Sequence, residues 1–428
     1  MVEKLVITLL LLGCEIQWTL GNASGKRFPR RYMNLRKQVP KSPGKGVEPD
    51  MATLKKQGLA RAEELYQQRD RRAKELKKLG QKVVGFMCSF MPLEFLTAAD
   101  LVPYRIMGNL SEPITEADSY LEPNMCPYVR NIFELGLKGR YDFLDSFVVP
   151  HACDSVQRIY GLWKYHLAPP HSHFLNIPHT LSPSSLVFVK EELAALKEDL
   201  GKLAGREISD KALEEAIALH NENRALVRGL YELRKKEPPL LSGAEMMPLL
   251  VMGMSLPAPE FNSLLKEARE EALSRKEGKP KKAARLLIYG SIVDDLTLVR
   301  LAEQCGANVV TDDYCIGARS YLNDVKATAD PLDGLVEAYF VNFMCPRTYR
   351  GRDTSRFQYL LDRAREFQVK GIIAYTLKYC DPHMMDYPDL RDFLQGAGLP
   401  VLYIEDDYTM AGMGQLRTRI QAFVEMLG

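Results

Sequence analysis

Six of the eight cysteines in this chain fall in the same order twice: Cys88, Cys126 before Pro127 and Cys153 before Asp154, then Cys315, Cys345 before Pro346 and Cys380 before Asp381. Taken singly, a free cysteine is usually a small buried hydrophobe. An ordered set in which Met-Cys-Pro and Cys-Asp both recur reads instead as ligands. Soft thiolates with no histidine at matching positions suit zinc or an iron-sulfur cluster. Three ligands per set is unlike a closed structural zinc site, which takes four. A cluster on three thiolates keeps an open iron position, or one shared with a neighbouring cluster, and an open position is where a substrate can bind. The chain has no C-x-x-C pair of the zinc-ribbon, thioredoxin or ferredoxin kind, so its ligands must come from distant parts of the fold. Cys305 stands outside the pattern and reads as core packing. Cys14 lies in an atypical N-terminal stretch and is left out of the site.

Glu94 follows Pro92 at the start of a helix immediately after Cys88, so it is expected to face the same crevice as the thiols. In a dry crevice its pKa would rise and it could serve as an acid or base; capping its own helix is the alternative. His151 and His383, each within three residues of a candidate ligand, are placed to deliver protons or to orient a ligand by hydrogen bonding. His166, His171, His173 and His179 crowd a proline-rich stretch without the H-E-x-x-H spacing, and read as a surface loop with structural roles. Neither G-x-x-x-x-G-K-[ST] nor a G-x-G-x-x-G after a strand occurs, so any coupled nucleotide hydrolysis must come from a partner.

The elements that must position these residues alternate. Lys82 to Cys88 is a short apolar run that gives way at Pro92 to a helix, placing Cys88 in a strand-to-helix turn. Phe143 to Pro150 repeats the arrangement and delivers Cys153. Asn124 and Pro127 open an amphipathic helix with Cys126 at its N-terminus, where the helix dipole favours a thiolate and lowers its pKa. In the second half, Ala283 to Tyr289 and Asn308 to Thr311 read as strands, the latter leading to Cys315. Further strands are expected near Ala338 to Phe343 before Cys345, at Gly371 to Leu377 before Cys380, and at Val401 to Ile404. Strands alternating with helices predict an α/β protein with two doubly wound, mostly parallel-sheet domains. In such sheets the ligand crevice lies outside the carboxyl ends of the strands. Residues 182–282 carry apolar spacings of three and four between proline breaks and read as a mostly helical insertion. The expected division is therefore 1–50, 51–181 with an N-terminal helix, 182–282, and 283–428.

The bulk properties bound the rest. A length of 428 residues, a formal charge of +2 and an apolar fraction of 46% describe a globular chain of two or three domains. That balance gives no footprint for a nucleic-acid partner. The cysteines are too sparse for a disulfide scaffold. The apolar run Leu5 to Leu12 resembles a short signal sequence but is too short to span a membrane. The basic, proline- and glycine-rich stretch after it reads as disordered. Residues 1–50 are accordingly read as a disordered extension, an export signal, or sequence ahead of a true start at Met51. Solvent-sensitive cysteine chemistry belongs in a reducing cytoplasm.

The stretches GFMCSFMPLEFLTAADLVPYR at Gly85 to Arg105, NMCPYVRN, VVPHACDSVQR, TDDYCIGAR, KYCDPHMMDYP and GQLRTRIQAFVEML resemble the 2-hydroxyacyl-CoA dehydratase and benzoyl-CoA reductase superfamily, over Lys82 to Leu427. The resemblance implies two α/β halves around an oxygen-sensitive cluster, fed with electrons by an ATP-hydrolysing activator that carries its own iron-sulfur cluster. Dehydratase subunits of that superfamily hold one [4Fe-4S] cluster on three cysteines, which here would be Cys88, Cys126 and Cys380. Six cysteines in register look more like the double-cubane cluster proteins, in which two cubanes share a sulfide and each has three thiolate ligands. This subgroup implies a homodimer that reduces small molecules at an [8Fe-9S] cluster, with Cys153, Cys315 and Cys345 joining the other three. A dehydratase subunit is the alternative, and an electron carrier or cluster scaffold a third reading.

Overall fold

A computed structural model describes residues 57–428, apart from 283, 352 and 410. The readings made for residues 1–50, and the helix start at Met51, lie outside the described residues.

Two four-stranded sheets, parallel throughout, organise the chain. The first contains β1 (Val83–Phe86), β2 (Val102–Arg105), β3 (Ser146–Pro150) and β4 (Ser172–Leu175), in the order β2-β1-β3-β4. The second contains β5 (Ala284–Gly290), β6 (Ala307–Asp313), β7 (Gly371–Leu377) and β8 (Val401–Asp406), in the order β6-β5-β7-β8. Every residue of β1, β3, β5 and β7 is buried. Apolar runs covered by helices on both faces are what a parallel sheet demands. In each sheet the chain winds outward from a central strand and then returns to its other side. The switch in strand order therefore falls between β1 and β3, and between β5 and β7, where a crevice opens at the carboxyl ends.

Helices Pro183–Ala204, Asp210–Lys235, Gly243–Met252 and Ala258–Ser274 lie between the two sheets in sequence. Ser182, Ser209 and Ser242 cap the first three through their hydroxyls, the last as a full capping box with Glu245. Gly205 ends the first with a φ of 75°, a left-handed position that suits glycine. The continuous helix expected ahead of β1 is two helices, Gly58–Gln67 and Arg71–Lys78. The first docks on helix Ala258–Ser274, where Glu267 and Glu271 accept the backbone N–H groups of Gly58 and Leu59.

Three elements differ from the sequence reading. β2 and β4 are four-residue edge strands, too short to show a period. Pro103 is tolerated in β2 because an edge strand has a side free of ladder bonds. β4 runs through the histidine-rich stretch that had read as a loop. The strand expected near Ala338 to Phe343 is instead helix Pro331–Val336 continued by a π-helical turn at Glu337–Val341. Asp330 caps that helix and Pro331 fills its first position, and this start signal decides the conformation of the apolar run that follows. Among the described residues no helix is long and apolar enough to cross a membrane.

Candidate metal centre

All six cysteines of the repeated set line one cavity of about 660 Å³, its open mouth included. Cys88, Cys153, Cys315 and Cys380 lie in the turns that leave β1, β3, β6 and β7. Cys126, Cys153 and Cys380 occupy the N-cap positions of helices Pro127–Leu137, Asp154–His166 and Asp381–Gly396. Cys88 (φ 62°) and Tyr379 (φ 59°), beside Cys380, hold left-handed backbone conformations. A non-glycine residue there costs roughly 1–2 kcal/mol, and such strain is stored where a turn must aim a functional group. The backbone N–H of Cys315 donates to Ser291 O at 2.9 Å. Its carbonyl accepts the hydroxyls of Ser89 and Ser320, each at 2.6 Å. Ser89, next to Cys88, thus ties a turn of the first sheet to one of the second.

The two triplets match in two members of three. Cys126 and Cys345 both precede the returning strand, β3 or β7, and Cys153 and Cys380 both follow it. Cys88, however, follows the central strand β1, whereas Cys315 follows β6, the counterpart of β2. The position after β5 that answers to Cys88 holds Ile292, two residues beyond Gly290 as Cys88 is two beyond Phe86. Register in sequence counts cysteines and not strands: β2 intervenes between Cys88 and Cys126, and no strand intervenes between Cys315 and Cys345.

Burial dominates the thiols. It pushes the pKa of Cys126 up to about 11 and those of Cys153 and Cys315 up to about 12, and it raises Cys345 and Cys380 as well. Backbone N–H groups at the helix N-termini pull Cys126 and Cys153 the other way without prevailing. The lowering expected from helix N-termini is therefore outweighed, because taking a thiolate out of water costs more than those N–H groups return.

Two buried guanidinium groups, Arg105 and Arg347, line the same space and a third, Arg319, stands behind Cys315 and His383; none was singled out from the sequence. Arg319 is held by Asp313 (Nη2–Oδ2, 2.9 Å) and points Nη1 toward Cys315 Sγ at 3.8 Å and His383 Nε2 at 3.5 Å. The other ring nitrogen of His383 lies 3.5 Å from Cys380 Sγ. Arg347 donates to four backbone carbonyls: Pro178 and His151 at 2.6 Å, Ile177 at 2.8 Å and Ala152 at 3.3 Å. Arg105, 3% exposed, leaves Nε and Nη1 without a hydrogen-bond partner, as does the Ser291 hydroxyl. Neither Arg105 nor Arg347 has a carboxylate partner among the described residues. The available signal was adjacency: Arg347 stands two residues after Cys345, and Arg319 four after Cys315.

Among the described residues no three histidine, cysteine, aspartate or glutamate side chains converge closely enough to hold a single metal ion. Six thiols spread around a roomy cavity, with buried cations and orphaned donors facing it, fit an anionic polynuclear group such as an iron-sulfur cluster, in which each thiolate binds a different iron.

Glu94 does not line this cavity. It is fully buried, accepts a hydrogen bond from Arg224 Nη2, and accepts the Tyr339 hydroxyl at 2.8 Å. Burial pushes its pKa up, but the charge and hydrogen bond of Arg224, with His220 and a backbone N–H, together outweigh it and lower the pKa, opposite to the rise expected in a dry crevice. His383 lines the cavity, whereas the ring of His151 meets Asn176 (Nδ1 to Oδ1, 3.2 Å) and His179. His171 and His173 share Asp199, at 3.0 and 2.7 Å, and His171 also bonds Ser146. Cys305 is half-buried against Arg417 O, outside the cavity.

Comparison with known proteins adds the lineage. A family profile described as "2-hydroxyglutaryl-CoA dehydratase, D-component" matches residues 88–427, beginning on the first cavity cysteine. A benzoyl-CoA reductase subunit from Thauera aromatica is 29% identical over 377 residues, covering 86% of this chain and 97% of that one. The (R)-phenyllactyl-CoA dehydratase beta subunit of Clostridium sporogenes is 29% identical over 359 residues, with 83% and 94% covered. The beta subunit of (R)-2-hydroxyglutaryl-CoA dehydratase from Acidaminococcus fermentans is 23% identical over 359 residues, with 82% and 94% covered. With two parallel sheets aiming six thiols into one cavity and a profile match over most of its length, the chain belongs to the 2-hydroxyglutaryl-CoA dehydratase D-component family, alongside subunits of acyl-CoA dehydratases and of benzoyl-CoA reductase.

Proposed function

We propose that this chain is an iron-sulfur reductase component whose six cysteines, Cys88, Cys126, Cys153, Cys315, Cys345 and Cys380, hold a double-cubane [8Fe-9S] cluster. The observation that carries this reading is that Cys153, Cys315 and Cys345, which a single three-thiolate cluster does not need, line the same cavity as the other three. When bound, the cluster supplies storage of low-potential electrons at an accessible metal position. The chain's own groups place the thiols, surround them with positive charge from Arg105, Arg319 and Arg347, and keep the site dry behind apolar walls. His383, between Arg319 and Cys380, is the residue placed to hold a hydrogen bond at the thiolate edge. Glu94 serves the fold through its buried pair with Arg224, not as a proton donor at the site. An ATP-hydrolysing iron-sulfur activator delivers the electrons, the chain acts as a cytoplasmic homodimer, and a small unsaturated molecule is reduced. The reading takes residues 51–181 and 283–428 as the two α/β halves, with 182–282 as a helical insertion.

The second reading is a 2-hydroxyacyl-CoA dehydratase subunit with one [4Fe-4S] cluster on Cys88, Cys126 and Cys380. It draws support from the relatives named as dehydratase subunits, and from the mismatch between the strand positions of Cys88 and Cys315. Iron and acid-labile sulfide per anaerobically purified chain separate the two. About eight irons supports the double cubane, about four supports the dehydratase, and none eliminates both.

A further inference from the structure

Arg105 ends β2 with its backbone N–H fixed by Met254 O (3.1 Å) and Ser255 Oγ (3.2 Å), so its side chain starts from a rigid point. The guanidinium lies over the Phe86 ring, 5.6 Å from its centre, and lines the cysteine cavity. Arg319 has Asp313 to balance it, and Arg347 spends its donors on four carbonyls. Arg105 has neither arrangement: Nε and Nη1 are buried with no partner, and no carboxylate is within ion-pair distance among the described residues. A buried charge without a counter-charge is strongly unfavourable, so an arginine kept in this state points to an anion that the cavity receives. The unpartnered hydroxyl of Ser291 lines the same cavity and answers to the same occupant.

We propose that Arg105 is a cofactor-binding residue. Its free N–H groups donate to the anionic edge of the cluster held by the six cysteines, and its fixed charge stabilises the more negative, reduced state. The inference rests on the cluster reading given above and adds to it a residue that is not a ligand. A positive charge close to a redox centre makes reduction easier, as hydrogen bonds to cluster sulfur do. Arg105→Gln keeps a donor and loses the charge, whereas Arg105→Lys keeps the charge and loses the planar fork.

The experiment uses the full chain, purified anaerobically, with Arg158→Gln as a control for an exposed arginine. Iron and sulfide content are measured, and the midpoint potential is read by dye-mediated titration followed by electron paramagnetic resonance. Arg105→Gln is expected to keep wild-type far-ultraviolet circular dichroism and to titrate at a more negative potential, with Arg105→Lys between it and the wild type. Should Arg105→Gln lose iron while Arg105→Lys retains it, the requirement for charge is equally supported. An unchanged midpoint at full iron content overturns the proposal, and so does equal iron loss in the two variants. Absence of iron from the wild-type chain would instead strike the cluster reading itself.

Discussion

Removing the Glu94 carboxylate should destabilise the whole fold, and the size of the loss separates a buried structural ion pair from a catalytic acid. Glu94 and Arg224 are 0% and 5% exposed in their side chains, so Glu94→Ala leaves a guanidinium charged and nearly dry. Breaking one partner of such a pair costs about 3–5 kcal/mol, and the Tyr339 hydroxyl loses its acceptor as well, worth about 1 kcal/mol. The remaining contact of Tyr339, in which its hydroxyl accepts from Arg224 at 3.0 Å, offers its O–H no replacement acceptor. The expected total is about 4 kcal/mol. In Glu94→Leu/Arg224→Met both charges are gone, and replacing a buried pair by packed apolar groups is often neutral. The double variant should therefore recover to within about 2 kcal/mol of the wild type, most of the remainder coming from Asn221 and Tyr339, which Arg224 also serves. Urea unfolding of the anaerobically purified chain, followed by circular dichroism, reports the difference as a shift in midpoint at constant slope. The coupling between the two sites then follows from the four-member cycle of wild type, Glu94→Leu, Arg224→Met and the double variant. Because the folded pKa of Glu94 is lowered, its contribution is fully present above the ordinary carboxylate value and is lost only as pH falls through the lowered one. The four measurements should thus give the same differences at pH 7 and pH 8. A loss below 1 kcal/mol in Glu94→Ala, or a double variant no more stable than the single one, would refute the structural assignment.

Three further outcomes are expected. His220 is buried beside Glu94 and Arg224 and bonded to Thr97, and burial lowers its pKa from 6.5 to about 4. The unfolded chain therefore takes up the proton first, so this stability is complete above about pH 6.5 and declines by roughly 3 kcal/mol as pH falls toward 4; His220→Gln should flatten the fall of the urea midpoint between pH 7 and pH 5. Cys315→Ser and Cys345→Ser should each lower iron content well below that of the wild type while Cys305→Ser leaves it unchanged, and full iron content in both cavity variants would return the choice to Cys88, Cys126 and Cys380. Gly290→Ala drives a methyl group into the backbone carbonyl of Tyr375 on the paired strand β7, a contact that no side-chain rotation relieves; a drop of about 1–3 kcal/mol in unfolding free energy is expected, and a midpoint equal to the wild type's would show that β5 and β7 shift apart freely.

The order of Cys88, Cys126, Cys153, Cys315, Cys345 and Cys380 was legible in the sequence because ligand types are few and their repeat is independent of how the chain folds. The central strands were legible for a related reason: β1, β3, β5 and β7 are apolar on both faces, and such runs announce themselves. β2 and β4 were not, since four residues at a sheet edge carry too little pattern and one of them is Pro103. Near Ala338 the apolar run was read without the Asp330-Pro331 start signal that precedes it. The arginines escaped notice because arginine is ordinarily a surface residue, and only tertiary placement reveals that Arg105 lacks a partner. Glu94 lies, as the sequence indicates, in the first turn of the helix after Cys88; what the sequence could not supply was the set of distant partners, Arg224 130 positions away and His220, that together outweigh burial and turn its pKa downward.

The seam around Arg347 has a mechanical meaning. This side chain, from the loop after Cys345, grips the carbonyls of His151 and Ala152 beyond β3 and of Ile177 and Pro178 beyond β4, and a bridge between Thr180 and Tyr349 continues the stitch with the Tyr349 N–H donating to His179 O at 2.7 Å. A hinge opening between the two sheets would have to break these bonds together, leaving several buried groups unsatisfied at once. The walls of the cavity are in effect cast before any occupant arrives, and this bears on the proposed cluster. A site whose dipoles and cations are already in place needs little rearrangement when an electron comes or goes. Such low inertia is what separates a centre that passes electrons rapidly from one that merely traps them.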